Sequence, residues 1–393
     1  MSIPELARRV IVEEPENSET PLSDLRSWVT PTRLFFVRNH FDVPRLDLAS
    51  WSLKVGGLVE NSLELSFEQI ARFPARSVFA TMECAGNGRS FLEQETHGVQ
   101  WGAGAIGHAE WTGVPLRLVL EMAGLSEAAR EVVFSGADRG VESDHPQTMA
   151  FARSLPLETA LGDDILLATE MNGEPLTAEH GYPLRLIVPG WYGVASVKWL
   201  TGIHVTDKAF KGYYQSTKYT VNRRTASGMH NEIVGEMQPK SEILQPADGG
   251  RVGVGLNRIF GVAWAGPDAV AAVEVSVDGG RNWTQANLIG MNAPYSWTMW
   301  EYSWRPEQTG PCRLLSRAVS AAGRMQPMRH DPLNGGYLIH HSRPITVDVA
   351  PTWLATEGDS EAEAMRKAMQ HAAEERSRMK LDVEMKFADG GGI

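Results

Sequence analysis

The side chain best placed to do chemistry lies in the stretch Met82-Glu83-Cys84-Ala85-Gly86-Asn87-Gly88-Arg89-Ser90. A strand-like run, Ser77-Val78-Phe79-Ala80, leads into it, and two glycines then turn the chain. A cysteine on such a turn can be held open rather than packed. The neighbouring Arg89 favours the thiolate, the form that binds metals or attacks an electrophile. A buried, inert thiol is the competing reading of these residues taken alone.

Other patterns lose their chemistry on context. Trp101-Gly102-Ala103-Gly104-Ala105-Ile106-Gly107 contains G-x-G-x-x-G, but a dinucleotide site needs a hydrophobic strand before it and a helix after it. Glu95 to Gln100 precede it and His108 to Gly113 follow, and neither context fits. The eleven histidines include no His-Glu-x-x-His or His-x-His, and His340-His341 would point to opposite faces of a strand, so no chelated zinc is expected. Cys84 and Cys312 are the only cysteines. They cannot build a disulfide scaffold or an iron–sulfur cage, and no Cys-x-x-Cys-His haem attachment occurs. Cys312, in a β run, reads as a structural core residue.

The elements that must position Cys84 divide the chain. At 393 residues it is long for one core, and two domains plus tails are expected. Residues 1–20 are polar and Glu-rich and read as a flexible N-terminal arm. Residues 21–236 mix strand-like runs (Ser52 to Val55, Arg185 to Val188) with helix-like ones (Ser66 to Phe73, Leu116 to Ala123) among dense turns, which suits an irregular α+β domain. Ser66 is the expected N-cap of the first helix. From 237 to 350 short runs recur at regular spacing, and Val273, Val275 and Val277 alternate with Glu274 and Ser276, the signature of an all-β sandwich. Residues 351–393 form a tail with a short helix, where Ser360 and Glu363 make a capping-box pair and Met365, Met369, Ala372 and Met379 fall near one face. That helix docks on its own chain or clasps a second subunit.

Composition bounds the function classes. Apolar residues at 42% and charged residues at 22% are ordinary for a globular protein. A net charge of −11 argues against a nucleic-acid partner, which needs a basic footprint. No run approaches the ~18 apolar residues of a membrane span. Arg8-Arg9 is followed at once by Val10-Ile11-Val12-Glu13-Glu14, too short for an export signal. A cytoplasmic location is the expectation.

The segment Glu83-Cys84-Ala85-Gly86-Asn87-Gly88-Arg89-Ser90 resembles the molybdenum-cysteine motif of the sulfite oxidase family. Three more blocks match in order. Phe35-Phe36-Val37-Arg38-Asn39-His40 resembles its N-terminal cofactor strand, and His180-Gly181-Tyr182-Pro183-Leu184-Arg185 its pterin-binding loop. Val188-Pro189-Gly190-Trp191-Tyr192-Gly193, continuing through Ser196-Val197-Lys198-Trp199-Leu200, resembles the segment after that loop. The likeness spans roughly residues 30–350, with the second half similar to the family's immunoglobulin-like dimerisation domain.

That resemblance implies a molybdenum–pterin cofactor with Cys84 as the only protein ligand of the metal, a sulfur donor suited to it. By the same matching Phe36, Val37, Arg38, Asn39, His40, Asp138, His180, Arg185, Ser196, Val197 and Lys198 line the cofactor. Arg, Lys and His suit its phosphate, and Asp and Asn suit its amide-like ring edges. The substrate pocket draws on Arg38, Arg89, Trp101 and Tyr219, the last placed by its spacing from Lys198. The implied reaction is oxidation of sulfite to sulfate by oxygen transfer at molybdenum, in a homodimer. No haem segment is expected in this chain, so electrons pass to a separate cytochrome or to oxygen. One departure stands out: members that oxidise sulfite carry a further pocket arginine where this chain reads Pro332-Leu333-Asn334-Gly335-Gly336-Tyr337. Arg329 and His330 lie just upstream. Other substrates of the same cofactor, a sulfoxide or another small oxyanion, are the alternative. A cofactor-free binding protein built on the sandwich is a third class, against which the full set of Cys84, Arg38, His180, Arg185 and Lys198 speaks.

Overall fold

The computed structural model describes residues 7–25 and 27–350, so the helix expected at 360–379 lies outside the described residues. Strands dominate. Leu166–Met171, Ile106–Pro115 and Arg76–Glu83 run antiparallel in that order, with Glu174–Pro175 and Arg185–Ile187 both pairing with the first. A second sheet orders Leu63–Ser66, Ser52–Gly57, Leu200–Thr206, Glu131–Glu142 and His145–Pro156. Within it only the contact of Ser52–Gly57 with Leu200–Thr206 is parallel.

Among the described residues the expected α+β character reduces to three short α-helices, Phe67–Ile70, Leu116–Ala123 and Leu157–Ala160, on this β framework. The first has the capping box its sequence encodes: Ser66 Oγ accepts the Gln69 N–H at 3.3 Å, and Gln69 Oε1 accepts the Ser66 N–H at 2.8 Å. The second buries Leu116, Val119, Leu120 and Ala123, the i, i+3, i+4, i+7 stripe of a helix with one apolar face. Truncating Leu120 to Ala there costs roughly 2–5 kcal/mol.

Residues 9–20 are not a loose arm. Arg9–Val12 pairs with Asn17–Glu19, and Asn17 to Thr20 are buried. Backbone bonds between Ser18 and Val37 (3.0 and 2.8 Å) and from Thr20 N–H to Gly104 (2.8 Å) hold them, because these polar residues satisfy groups inside the first domain. Val37 has only this isolated bridge, so Phe35 to His40 is extended but is not a sheet strand.

The second half stacks two sheets. One orders Lys240–Gln245, Asn257–Trp264, Thr298–Trp304 and Asn287–Ile289; the other orders Arg251–Gly253, Ile345–Ala350, Gly310–Ser320, Val270–Ser276 and Thr284–Gln285. Ile259 and Trp300 from the first share a core with Val273, Leu314 and Val347 from the second, as alternating strands of a sandwich must. Cys312 sits half-buried there with its thiol toward the Val277 carbonyl, 3.0 Å away. His340 and His341 lie in a loop rather than on a strand. Across the junction Trp28 and Trp297 exchange indole N–H donors with each other's carbonyls, at 3.0 and 2.7 Å. Among the described residues no helix is long and apolar enough to cross a membrane.

Candidate functional site

Strand Arg76–Glu83 delivers Cys84 to the lining of a cavity. The turn after it is fixed by backbone bonds. Cys84 N–H donates to Ala105 at 2.9 Å, and the Cys84 carbonyl accepts Asn87 N–H at 2.9 Å. Cys84 keeps 7% exposure. No second thiol approaches, since Cys312 belongs to the other domain.

The cavity gathers Phe36, Val37, Arg38, Asn39, His40, Cys84, Asp138, His180, Arg185, Ser196, Lys198 and Tyr219. Five separate stretches of chain supply them. The extended segment at 35–40 is braced from the N-terminal hairpin, where Asn17 Oδ1 accepts the Asn39 N–H at 3.0 Å and Arg38 Nη1 at 3.1 Å. Arg185 donates to the His180 carbonyl at 2.8 Å and the Ser196 carbonyl at 3.2 Å, and its guanidinium lies 4.9 Å from the Trp111 ring. Lys198 reaches Asn39 Oδ1 and the Glu179 carbonyl. His180 Nε2 faces the Thr32 carbonyl at 3.1 Å, so that nitrogen carries the proton. Gly181, at φ +106°, lets the loop close, since a Cβ there would come within 3.1 Å of both the Arg185 and Lys198 side chains. Trp199 and Tyr219 both adopt φ 50°, unusual for bulky residues and typical of backbone held in place around a site.

Three of the expected residues stand elsewhere. Val197 is fully buried in the core, with its N–H and C=O spent on Ala195 and Leu186, so it supports the wall from behind. Trp101 is likewise fully buried, packed in the core cluster that includes Cys84. Arg89 lies behind the cysteine turn and donates to the Val99 carbonyl at 2.7 Å and the Gly336 carbonyl at 2.8 Å. Gly86 and Gly98 make room for it, because a Cβ on either would sit 2.3 or 2.6 Å from its guanidinium.

Residues that sequence reasoning missed complete the walls. Phe35, Met82, Phe151 and Glu179 line the cavity. Glu179 adjoins the recognised His180, which was the available signal. Tyr337 bridges the two domains, its ring 4.9 Å from that of Tyr219 and 5.5 Å from the Arg89 guanidinium. Arg153, fully buried, donates to the Val234 carbonyl at 2.9 Å and to Tyr214. Nothing local in the sequence marks Arg153 or Tyr337.

The electrostatics call for an anion. Burial lowers Lys198 well below its ordinary value, and the nearby Arg185 lowers it further. Burial likewise brings Arg185 down to about 9 and His180 down to about 3. Burial pushes Asp138 up to about 6, against the pull of Lys198. Cations crowded and desolvated in this way are stabilised in their charged form by a phosphate. Two buried polar atoms of the cavity, Arg185 Nε and Asp138 Oδ1, have no partner within the protein. A ligand carrying an anion and amide-like edges would satisfy both, so the donor set fits a pterin phosphate cofactor.

Residues 40–214 match the oxidoreductase molybdopterin binding domain, and residues 231–333 match the Mo-co oxidoreductase dimerisation domain. The sulfite oxidase of Gallus gallus is 36% identical over 343 residues, covering 81% of this chain and 72% of that protein. The sulfite oxidase of Arabidopsis thaliana is 34% identical over 349 residues, covering 81% of this chain and 88% of that one. The chain spans only about three-fifths of the length of the mouse, rat and human relatives. Among solved structures, the sulfane dehydrogenase SoxCD from Paracoccus pantotrophus superposes with a TM-score of 0.77 at 32% identity, covering 89% of this chain and 91% of that one. Taken with the cysteine, the cations and the cavity they share, these likenesses establish that the chain belongs to the sulfite oxidase family of molybdopterin-dependent oxidoreductases.

Proposed function

We propose that this protein oxidises sulfite to sulfate and hands two electrons to an external acceptor, a cytochrome or oxygen. The observation that carries the reading is the cavity itself, where one cysteine meets Arg38, Arg185 and Lys198. When bound, the molybdenum–pterin group supplies oxygen-atom transfer coupled to two-electron redox chemistry. The protein supplies position and charge. Cys84 is the metal's protein ligand. Lys198, Arg185 and His180 take the phosphate, while Asp138 and Asn39 meet the ring edges. Arg38 and Tyr219 face the substrate, and Arg38 offsets its negative charge. Arg89 acts from behind the cysteine turn. The match of residues 231–333 to a dimerisation domain supports two copies pairing through the sandwich.

A second reading rests on Gly335. No arginine stands there, and Arg89 spends donors on the Val99 and Gly336 carbonyls. A dianion deprived of one charge-assisted contact binds more weakly by about 1.5–3 kcal/mol. A less charged, sulfane-type substrate tolerates that loss better, and the sulfane dehydrogenase likeness supports this alternative. Sulfite-dependent ferricyanide reduction by molybdenum-loaded protein decides between them, with Cys84→Ser as control. Turnover that disappears in the variant supports sulfite oxidation. A loaded protein inert to sulfite but active on a sulfane-bearing compound replaces it with the second reading.

A further inference from the structure

Glu83, the residue before the cysteine ligand, is 2% exposed and holds a carboxylate among three donors. Lys240 Nζ lies 3.0 Å and Asn87 Nδ2 3.0 Å from its Oε1, and Trp264 Nε1 lies 2.9 Å from its Oε2. Lys240 and Trp264 belong to the second domain, where they are directly paired across two neighbouring strands. Lys240 is itself 2% exposed, reaches the Asn87 carbonyl at 3.4 Å and has Glu242 at 3.7 Å.

Asn87 carries the grip onward to the cysteine. Its N–H donates to the Cys84 carbonyl at 2.9 Å, and its Oδ1 accepts the Ala105 N–H at 3.0 Å. The Ala105 carbonyl in turn accepts the Cys84 N–H at 2.9 Å. A closed ring of hydrogen bonds therefore surrounds the Cys84 backbone, and the second domain reaches it through the Glu83 carboxylate and the Asn87 carbonyl.

We propose that Lys240 and Trp264 are positioning residues that fix the Cys84 sulfur for its metal, acting through Glu83 and Asn87. Stability alone does not account for the arrangement. A buried ion pair is often matched or bettered by apolar residues of the same volume, because desolvation offsets the attraction. What an apolar replacement cannot supply is direction, and here both carboxylate oxygens are directed by donors from the other domain. Lys240 also cancels a negative charge one residue from a thiolate ligand.

The proposal rests on the cofactor reading for its purpose, but its test has an arm that does not. In the full-length chain produced without cofactor, iodoacetamide labelling of Cys84 is timed by peptide mass, with Cys312 resolved separately. The variants are Lys240→Met, Glu83→Gln/Lys240→Met and Trp264→Phe. The double variant removes both charges, so it folds even where Lys240→Met, with its orphaned carboxylate, does not. The expected result is labelling at least tenfold faster in the double variant at a melting temperature close to the parent's, with a smaller increase in Trp264→Phe. In molybdenum-loaded protein the thiolate-to-metal absorption band shifts in the same variants. A double variant with parental labelling rate and parental band overturns the proposal. A parent chain that takes up no molybdenum defeats the cofactor reading instead and leaves the labelling arm to decide.

Discussion

The hydroxyl of Tyr219 lies 2.7 Å from Nε2 of His40, linking the extended segment at 35–40 to a residue 179 positions later in the chain. Burial keeps both groups neutral, pushing the phenol above its ordinary range and the imidazole well below its own. Each group therefore keeps its own proton, and the His40 tautomer sets the direction of the contact. With the imidazole proton on Nε2, His40 donates to the Tyr219 oxygen and the Tyr219 hydroxyl is free to donate into the cavity.

Removing that hydroxyl tests the pair. Tyr219→Phe leaves a buried imidazole nitrogen without its partner, a loss of about 1–3 kcal/mol. If the hydroxyl also steadies the reacting anion, kcat/KM for sulfite falls roughly a hundredfold. Steady-state kinetics beside a urea melt separate the two effects. Unchanged kinetics with lowered stability assign Tyr219 to the scaffold alone.

Lys198→Met addresses the cofactor directly. Lys198 bonds to Asn39 Oδ1 and the Glu179 carbonyl inside the cavity. A phosphate that loses one charged donor is held about 1.5–3 kcal/mol less tightly, roughly ten- to a hundredfold in affinity. Molybdenum per chain after gel filtration measures this. Full retention in Lys198→Met would show that the phosphate is bound elsewhere.

Gly86→Ala presses on Arg89. The added methyl would lie 2.3 Å from the Arg89 Nη2 atom, and the guanidinium must leave the Val99 and Gly336 carbonyls. Overpacking of this kind costs roughly 1–3 kcal/mol. Gly56→Ala is the control, since a Cβ there meets only Ser62 Oγ at 3.8 Å. Circular-dichroism melts of both variants check the contrast, and equal melting temperatures would contradict it.

Protons give a fourth test, with opposite signs from two groups. Asp138 is raised by burial from 3.8 to about 6 in the folded chain. Its contribution to the stability of the cofactor-free chain is full below pH 3.8 and is lost as pH rises through 6. His180 and His108 are lowered by burial from 6.5 to about 3. Their contribution is full above pH 6.5 and is lost as pH falls towards 3. Asp138→Asn is expected to raise cofactor-free stability at pH 7 by roughly 1–3 kcal/mol and to change little at pH 4. Urea melts at the two pH values read this out, and an equal effect at both would rule out the assignment.

Contiguity decided what the sequence could reveal. The cysteine turn, the 35–40 segment and the loop ending at Arg185 are short consecutive motifs, and all three contribute to one cavity. The helix at Leu116–Ala123 was readable because its apolar stripe keeps helical spacing. Asn17, Arg153 and Tyr337 were not, because each acts across 22 or more residues through a contact that no local pattern encodes. Val197 shows the converse. It lies between two residues that face the cavity, Ser196 and Lys198, yet its own side chain turns into the core.

The exchanged indole bonds of Trp28 and Trp297 bear on how anything enters or leaves the cavity. Two domains stitched by reciprocal indole donors, with Trp297 also stacked against His108 at 5.6 Å, resist swinging apart. Traffic through the mouth then depends on side-chain rotation and small loop shifts, motions faster than a domain hinge. The same stitching ties the melting of one half to the melting of the other, so heat should take the whole molecule apart in one step.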